Sequence, residues 1–311
     1  MQLNVNLHKS KSVKNDEYYT RLDDVSRELI HYKKHFKDRI VFCNCNDTTR
    51  SAFWKYFHLN FCALGLKCLI ATCYDSTKPA YKFVYEGGND NNTEACMVYV
   101  LEGNGDFRND ECVEILKKSD IVVTNPPFSL FRQYVVQLME YEKRFLIIGT
   151  LNAFKYSECF PFVMENRMWF GNHNVDFFIR PDGTIKKFGN VNWYTNLDYP
   201  QKYKKLVLCK KYVPDEYPKY ESYDAIEVNK VADIPVDYSG IMGVPVSFMY
   251  KYNPEQFEIV GIFNHGSDNV FDLAKPVVNG RELYSRVAVR IRTPECKSNK
   301  RRDKAVTREL L

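Results

Sequence analysis

Apolar segments of strand length alternate with amphipathic helical patterns through the first half of this chain, and that alternation leaves few folds open. Residues 39–44, 67–74, 97–101, 121–125 and 145–150 form short runs rich in Val, Ile, Leu, Phe and Cys. Around them, Val25, Leu29, Tyr32 and Phe36 step by four, three and four residues, and Phe53, Phe57, Phe61 and Leu64 continue the helical period. Asp23 and Asp24 stand just ahead of the first helical pattern, where an N-cap belongs. Residues 110–118 read as a short helix, and Phe131, Val135, Leu138 and Met139 share one side of a helix over 129–141. Strands alternating with helices predict an α/β fold with an open, largely parallel sheet.

The polar stretch 75–94, which contains GGNDNN, reads as a loop or insertion. Beyond about residue 166 the order weakens into short aromatic strands, over 174–180 and 191–197, between charged turns. A soft boundary near residue 170 therefore divides the chain into residues 1–170 and a mixed α+β region over 171–311.

Nothing approaches the roughly 18 apolar residues of a membrane span, and MQLNVNLHKSKS lacks an apolar signal core. Ten cysteines in 311 residues are too few for a disulfide scaffold, so a reduced, cytoplasmic protein is expected. Cys43-x-Cys45 has no second pair at zinc spacing, and no metal is expected. Net charge is +5, yet residues 286–311 hold nine Lys and Arg against three Asp and Glu. Basic charge gathered at one end suits either a polyanion contact or a solvated tail.

The chemistry concentrates in Thr124-Asn125-Pro126-Pro127-Phe128, at the end of the fourth expected strand. Composition alone yields Asn-Pro-Pro-aromatic roughly 0.006 times in such a chain, and open α/β sheets bind ligands beyond the carboxyl ends of their strands. An amino group on a planar conjugated ring is a poor nucleophile because its lone pair is delocalised. An Asn side-chain oxygen and a backbone carbonyl, both acceptors, can hold its two N–H groups and turn the lone pair toward an electrophile. Proline supplies that carbonyl with φ fixed, and Phe128 offers a face to the ring. The plain alternative is a strand-to-helix turn with Phe128 in the core.

NPPF in this position resembles the catalytic motif of S-adenosylmethionine-dependent DNA adenine-N6 methyltransferases. KNDEYYT (14–20), VFCNCND (41–47), GDFR (105–108), KKSDIVVTNPPFSLFRQY (117–134) and GVPVSFMYKYNPEQFE (243–258) resemble more closely the EcoRI-type modification methylase family. The resemblance implies a Rossmann-like class I methyltransferase sheet and a monomer that flips an adenine out of double-stranded DNA. It further implies that Asn125, Pro126, Pro127 and Phe128 form the catalytic turn. Residues 1–170 would then bind S-adenosylmethionine, and residues 171–311 would recognise DNA, folded onto the same core or apart from it.

The first strand leads into Cys43-Asn44-Cys45-Asn46-Asp47 in place of the Gly-rich loop many methyltransferases carry, leaving Asn44 and Asp47 as polar contacts for the donor. By analogy with related enzymes, Asp106 accepts from the cofactor adenine with Phe107 beside it, and Asp75 meets the ribose; both carboxylates would otherwise be surface groups. Tyr19 and Thr20 resemble the N-terminal motif that closes over the methionine end, although Thr20 would also serve as a helix-entry residue. Trp193 and Tyr194 line the base pocket or lie in a β-sheet core. Lys204, Lys205, Arg301 and Arg302 meet phosphates or water. Two rival functions remain at this point, a methyltransferase for another planar amine or amide such as protein glutamine, and an inactive DNA-binding module. The basic tail favours nucleic acid over protein, and retention of both Asn125 and Phe128 favours catalysis over binding alone.

Overall fold

The computed structural model describes residues 18–44, 51–74, 79–180, 182–264 and 270–292. In chain order its first half comprises β1 (Tyr19–Thr20), α1 (Leu22–Leu29), β2 (Ile40–Cys43), α2 (Ala52–Leu59), α3 (Phe61–Leu64), β3 (Cys68–Thr72), β4 (Tyr81–Tyr85), β5 (Met97–Val100), α4 (Asp110–Lys118), β6 (Ile121–Thr124), α5 (Phe131–Glu140) and β7 (Arg144–Thr150). Then follow α6 (Phe160–Met164), β8 (Trp169–Asn174), β9 (Phe177–Ile179), β10 (Ile185–Lys187) and β11 (Val191–Thr195). The last part holds β12 (Ala225–Glu227), β13 (Ile241–Pro245), β14 (Phe257–Phe263), β15 (Asp272–Ala274), β16 (Val277–Val278), β17 (Arg281–Glu282) and β18 (Arg286–Ile291).

A mixed eight-stranded sheet in the order β5-β4-β3-β2-β6-β7-β11-β8 forms the body. Its centre, β3-β2-β6-β7, is parallel. These strands read as unbroken apolar runs because both faces are covered, as parallel strands require. Alternate side chains go to opposite sides: Val41, Ile121, Val123, Leu146 and Ile148 pack with α1 to α3, while Phe42, Val122, Phe145 and Ile147 pack with α4 to α6. A second sheet, β12-β13-β18-β14-β15, joins the latter core through Ile226, Met242, Val244, Ile262 and Val287.

The sheet is less parallel than the pattern suggested. Residues 81–85, inside the stretch read as a loop, form β4, whose alternation is short and hidden among turn residues; it pairs antiparallel with β3 and β5. β5 is an edge strand with all four residues exposed. On the far side, β11 runs antiparallel to both β7 and β8, so the sheet takes strands from both sides of residue 170. Beyond α6, the described residues form strands and 3-10 turns without an α-helix, which removes the helical share expected of that region. The first helix also begins differently: Arg21 occupies the N-cap without a side-chain bond, and Asp23 and Asp24 lie in the first turn, favourable to the helix dipole.

One fully buried carboxylate joins helix to sheet. Glu28 on α1 accepts from the Tyr32 hydroxyl (2.8 Å), from the backbone N–H of Asn172 (2.7 Å) and of His173 (2.8 Å) on β8. Gly171 makes the approach possible, since a Cβ there would lie 2.4 Å from Glu28 Oε1. Glu28→Ala would orphan these donors, and because each buried orphan costs about 1–3 kcal/mol, a loss near 3 kcal/mol is expected in urea unfolding. A loss below about 0.5 kcal/mol would show the tie to be dispensable.

Candidate active site

The chain leaves β2 toward β3 on one side and returns to β6 on the other, so the crevice between the carboxyl ends of β2 and β6 is the topological switch point where such sheets bind ligands. Asn44 and Asn125 follow these two strands directly. Asn44 is buried; its carbonyl accepts a short hydrogen bond from the Thr124 hydroxyl, and its Oδ1 accepts from the Thr72 hydroxyl at 3.0 Å. One residue thereby ties the ends of β2, β3 and β6.

After Thr124 the two prolines turn the backbone. Pro126 is buried and Pro127 exposed, and the Leu130 N–H closes a 3-10 turn (Phe128–Leu130) on the Pro127 carbonyl at 2.9 Å. The Asn125 amide is held in one orientation, because its Nδ2 donates to the Tyr18 carbonyl at 2.9 Å. Its Oδ1 is covered and has no hydrogen-bond partner among the described residues. A covered acceptor without a donor costs about 1–3 kcal/mol, which a ligand N–H relieves. Phe128 is half-buried and meets Phe178 edge-on at 6.3 Å. A fixed acceptor beside a backbone carbonyl and an aromatic ring is the set that an amino group on a planar ring requires.

Among the described residues expected around the donor, Asn44 and Asp106 stand at strand ends. Tyr19 and Thr20 form β1 and pair with β9; the Thr20 hydroxyl is a second buried polar atom without a partner among the described residues. Gly105, at φ +76°, packs so close to the end of β3 that a Cβ would lie 2.0 Å from the Cys73 carbonyl oxygen. This places Asp106 beside that strand end. Its carboxylate accepts from the Arg108 side chain at 2.8 and 2.6 Å and from the Arg108 N–H at 2.9 Å, and the guanidinium holds its pKa below the usual carboxylate range. Phe107 is buried edge-on against Tyr134 at 4.9 Å, in the core between α4 and α5.

The base-pocket reading of Trp193 and Tyr194 is corrected, since both rings are fully buried. Trp193 packs against Phe53 under α2, and the Tyr194 hydroxyl donates to the Thr150 carbonyl (2.6 Å) while accepting from the Phe154 N–H (3.2 Å). Neighbouring β11 residues face opposite cores, so neither can touch a flipped base. Lys204 and Lys205 are exposed after the 3-10 turn Pro200–Tyr203. Asp47, Asp75, Arg301 and Arg302 lie outside the described residues. Sequence reasoning missed Phe188 and Lys186 in the supporting wall: Tyr18, in the KNDEYYT stretch, meets Phe188 edge-on at 4.9 Å and receives Lys186 Nζ on its hydroxyl at 2.9 Å. Its signal was the aromatic cluster of 177, 178 and 188, which reads equally as strand filler.

Among the described residues no group of His, Cys, Asp and Glu is arranged to hold a metal, and no helix is long and apolar enough to cross a membrane. Comparison with known proteins gives the family. The family model for the adenine-specific methyltransferase EcoRI matches residues 6–308. The chain is 44% identical to the Type II methyltransferase M.EcoRI of Escherichia coli, over 91% of this chain and 95% of that one. It is 38% identical to the Type II methyltransferases M.MgeORF184P of Mycoplasma genitalium and M.MpnI of Mycoplasma pneumoniae, over 81% of this chain and 84% of each. No solved structure matches significantly. These likenesses define an adenine-specific methyltransferase. The chain belongs to the EcoRI methylase family, which sets aside both the protein-amide substrate and the inactive module.

Because Trp193 is a core residue, Trp193→Ala should cost about 3–5 kcal/mol in unfolding experiments. At a temperature where the variant remains folded, its affinity for DNA should match the parent's. Intact stability with weakened DNA binding would return Trp193 to the substrate side.

Proposed function

We propose that this chain transfers the methyl group of S-adenosylmethionine to N6 of an adenine flipped out of a specific duplex DNA sequence, acting as a monomer. The observation that carries the reading is the covered Asn125 Oδ1, locked in orientation by Tyr18 and lacking a donor. The bound adenine presents two N–H groups, one to Asn125 Oδ1 and one to the Pro126 carbonyl, which takes part in no hydrogen bond among the described residues. Accepting both withdraws the lone pair from the ring and directs it outward. Phe128 stacks on the base and holds its plane. Extrusion is required because N6 within a paired stack is out of reach.

S-adenosylmethionine supplies an electrophilic methyl group. The order β3-β2-β6-β7-β11-β8, with β11 reversed, supports a Rossmann-like class I methyltransferase sheet, and the polar groups at its carboxyl end suit the donor. The unpartnered Thr20 hydroxyl fits the charged amino-acid end, and Tyr19 lies beside it. Asp106, kept ionised by Arg108, fits the exocyclic amine of the cofactor adenine. Phe107 supports that turn from the core, and Asn44 holds the crevice open between the strands. Asp47 and Asp75 complete the polar contacts.

Residues 1–170 bind the donor and carry the catalytic turn. Residues 171–311, folded onto the same core, recognise DNA, with Lys204, Lys205, Arg301 and Arg302 on its phosphates.

Asn125→Ala should lower the methyl-transfer rate about 10²-fold to 10³-fold, as loss of a polar contact made in the transition state does, while donor affinity measured calorimetrically stays within about twofold. An equal loss of donor affinity would move Asn125 to another role. Replacing Arg301 and Arg302 by Gln should weaken cognate and unrelated duplexes alike and flatten the salt dependence by about 0.9 per lost phosphate contact. An unchanged slope would take the tail off the DNA.

A further inference from the structure

Resting on that reading, we infer that Lys186 is a positioning residue for methyl transfer and acts on Asn125 through Tyr18. A carboxamide has two orientations of nearly equal shape, and only one turns an acceptor toward the substrate amine. Reversed, it would set N–H against N–H and halt the reaction. The Tyr18 carbonyl, 2.9 Å from Nδ2, makes that choice. The position of this carbonyl is therefore a catalytic variable, although Tyr18 itself stays clear of the reacting atoms.

Backbone pairing alone holds Tyr18 poorly. It precedes a strand of two residues, paired among the described residues to β9 alone, through Tyr19 with Ile179 and Thr20 with Phe178. The rest of its restraint comes from its side chain. The ring meets Phe188 edge-on at 4.9 Å and Phe178 at 6.3 Å, and its hydroxyl accepts from Lys186 Nζ at 2.9 Å. The same ammonium lies 5.1 Å from the Tyr18 ring centre and 4.7 Å from that of Phe188, a cation–π arrangement with both. Lys186 stands opposite Phe178 in the register of β9 and β10, and Phe178 stands opposite Thr20. Cross-strand partners share a face, as do residues two apart along a strand. One face of the small sheet therefore gathers Tyr18, Thr20, Phe178, Lys186 and Phe188. Phe128 of the catalytic turn meets this face through Phe178.

Lys186 thus clamps the ring whose backbone orients the acceptor, and the wall it clamps also steadies the ring that stacks on the base. A lysine at the mouth of a DNA enzyme has a competing role as a phosphate contact, and the two roles leave different traces. Phosphate contacts set affinity and its salt dependence. Positioning changes the rate of the bound complex and leaves both alone.

The test uses the full chain, tritiated S-adenosylmethionine and a duplex carrying the site it modifies, mapped beforehand from adenines marked in the DNA of an expressing host. Single-turnover rates, donor affinity and DNA affinity across salt are measured for Lys186→Met, Lys186→Arg, Tyr18→Phe and the double variant Tyr18→Phe with Lys186→Met. Both Lys186→Met and Tyr18→Phe should slow transfer about tenfold, because small misplacements of a catalytic group are costly. Donor affinity and salt slope should stay at the parent's values. The double variant should be no slower than the slower single, since both cut one linkage, and Lys186→Arg should recover most of the rate. Losses that multiply in the double variant overturn the proposal, as does a salt slope that falls by about 0.9 in Lys186→Met. If Asn125→Ala is inactive while Lys186→Met runs at the parent's rate, this inference alone fails. If Asn125→Ala is fully active, the proposed role of Asn125 fails first.

Discussion

Asn44 is the constraint around which the crevice is built. A parallel sheet that switches direction between two neighbouring strands leaves their carboxyl ends to diverge, and the gap must be wide enough for a ligand and fixed enough for chemistry. Here one buried residue fixes it: the Asn44 carbonyl accepts from Thr124 on β6 across the gap, while its side chain accepts from Thr72 on β3. Thr124 is the residue before Asn125. The hydrogen bond that closes the sheet is therefore one peptide unit away from the acceptor proposed for the substrate amine, and the rigidity of the core passes into the turn without an intervening loop.

Two buried polar atoms near the turn stand without partners among the described residues. Natural interiors pair nearly all their buried polar atoms, yet Asn125 Oδ1 and the Thr20 hydroxyl lack partners among the described residues. The buried Glu28, by contrast, meets the Tyr32 hydroxyl, the backbone N–H groups of Asn172 and His173, and the His173 ring. Trp193 Nε1 in the core lacks a partner among the described residues as well, so what sets Asn125 apart is the fixed orientation of its amide.

Much of this was legible in the sequence, for definable reasons. The four central strands and the helices over them declared themselves because each buries a face with a fixed period, and the place of NPPF was legible because it directly follows the apolar run of β6. β4 escaped because five residues of alternation among Gly, Asn and Asp look like a turn. Trp193 and Tyr194 could not be placed from sequence: an aromatic in a strand is equally fit for a pocket and a core, and only the helices packed over β11 decide. Lys186 was invisible for a different reason. Its importance lies in the carbonyl of a residue 168 positions earlier, and backbone groups leave no trace in a side-chain pattern.

The exposed β5 has a consequence for handling the protein. Met97, Val98, Tyr99 and Val100 end the main sheet with an outer row of backbone donors and acceptors, and their side chains are apolar and open to water. Such an edge is a template for another strand, and natural sheets blunt it with charge. The blunting here comes from the next strand, where Lys82 sets its ammonium 4.4 Å from the Tyr99 ring centre. High salt, which screens the repulsion between such ammonium groups on approaching molecules while strengthening apolar association, works against that guard. Concentrated stocks are therefore expected to lose monodispersity first through this edge, at ionic strengths that leave the catalytic crevice untouched.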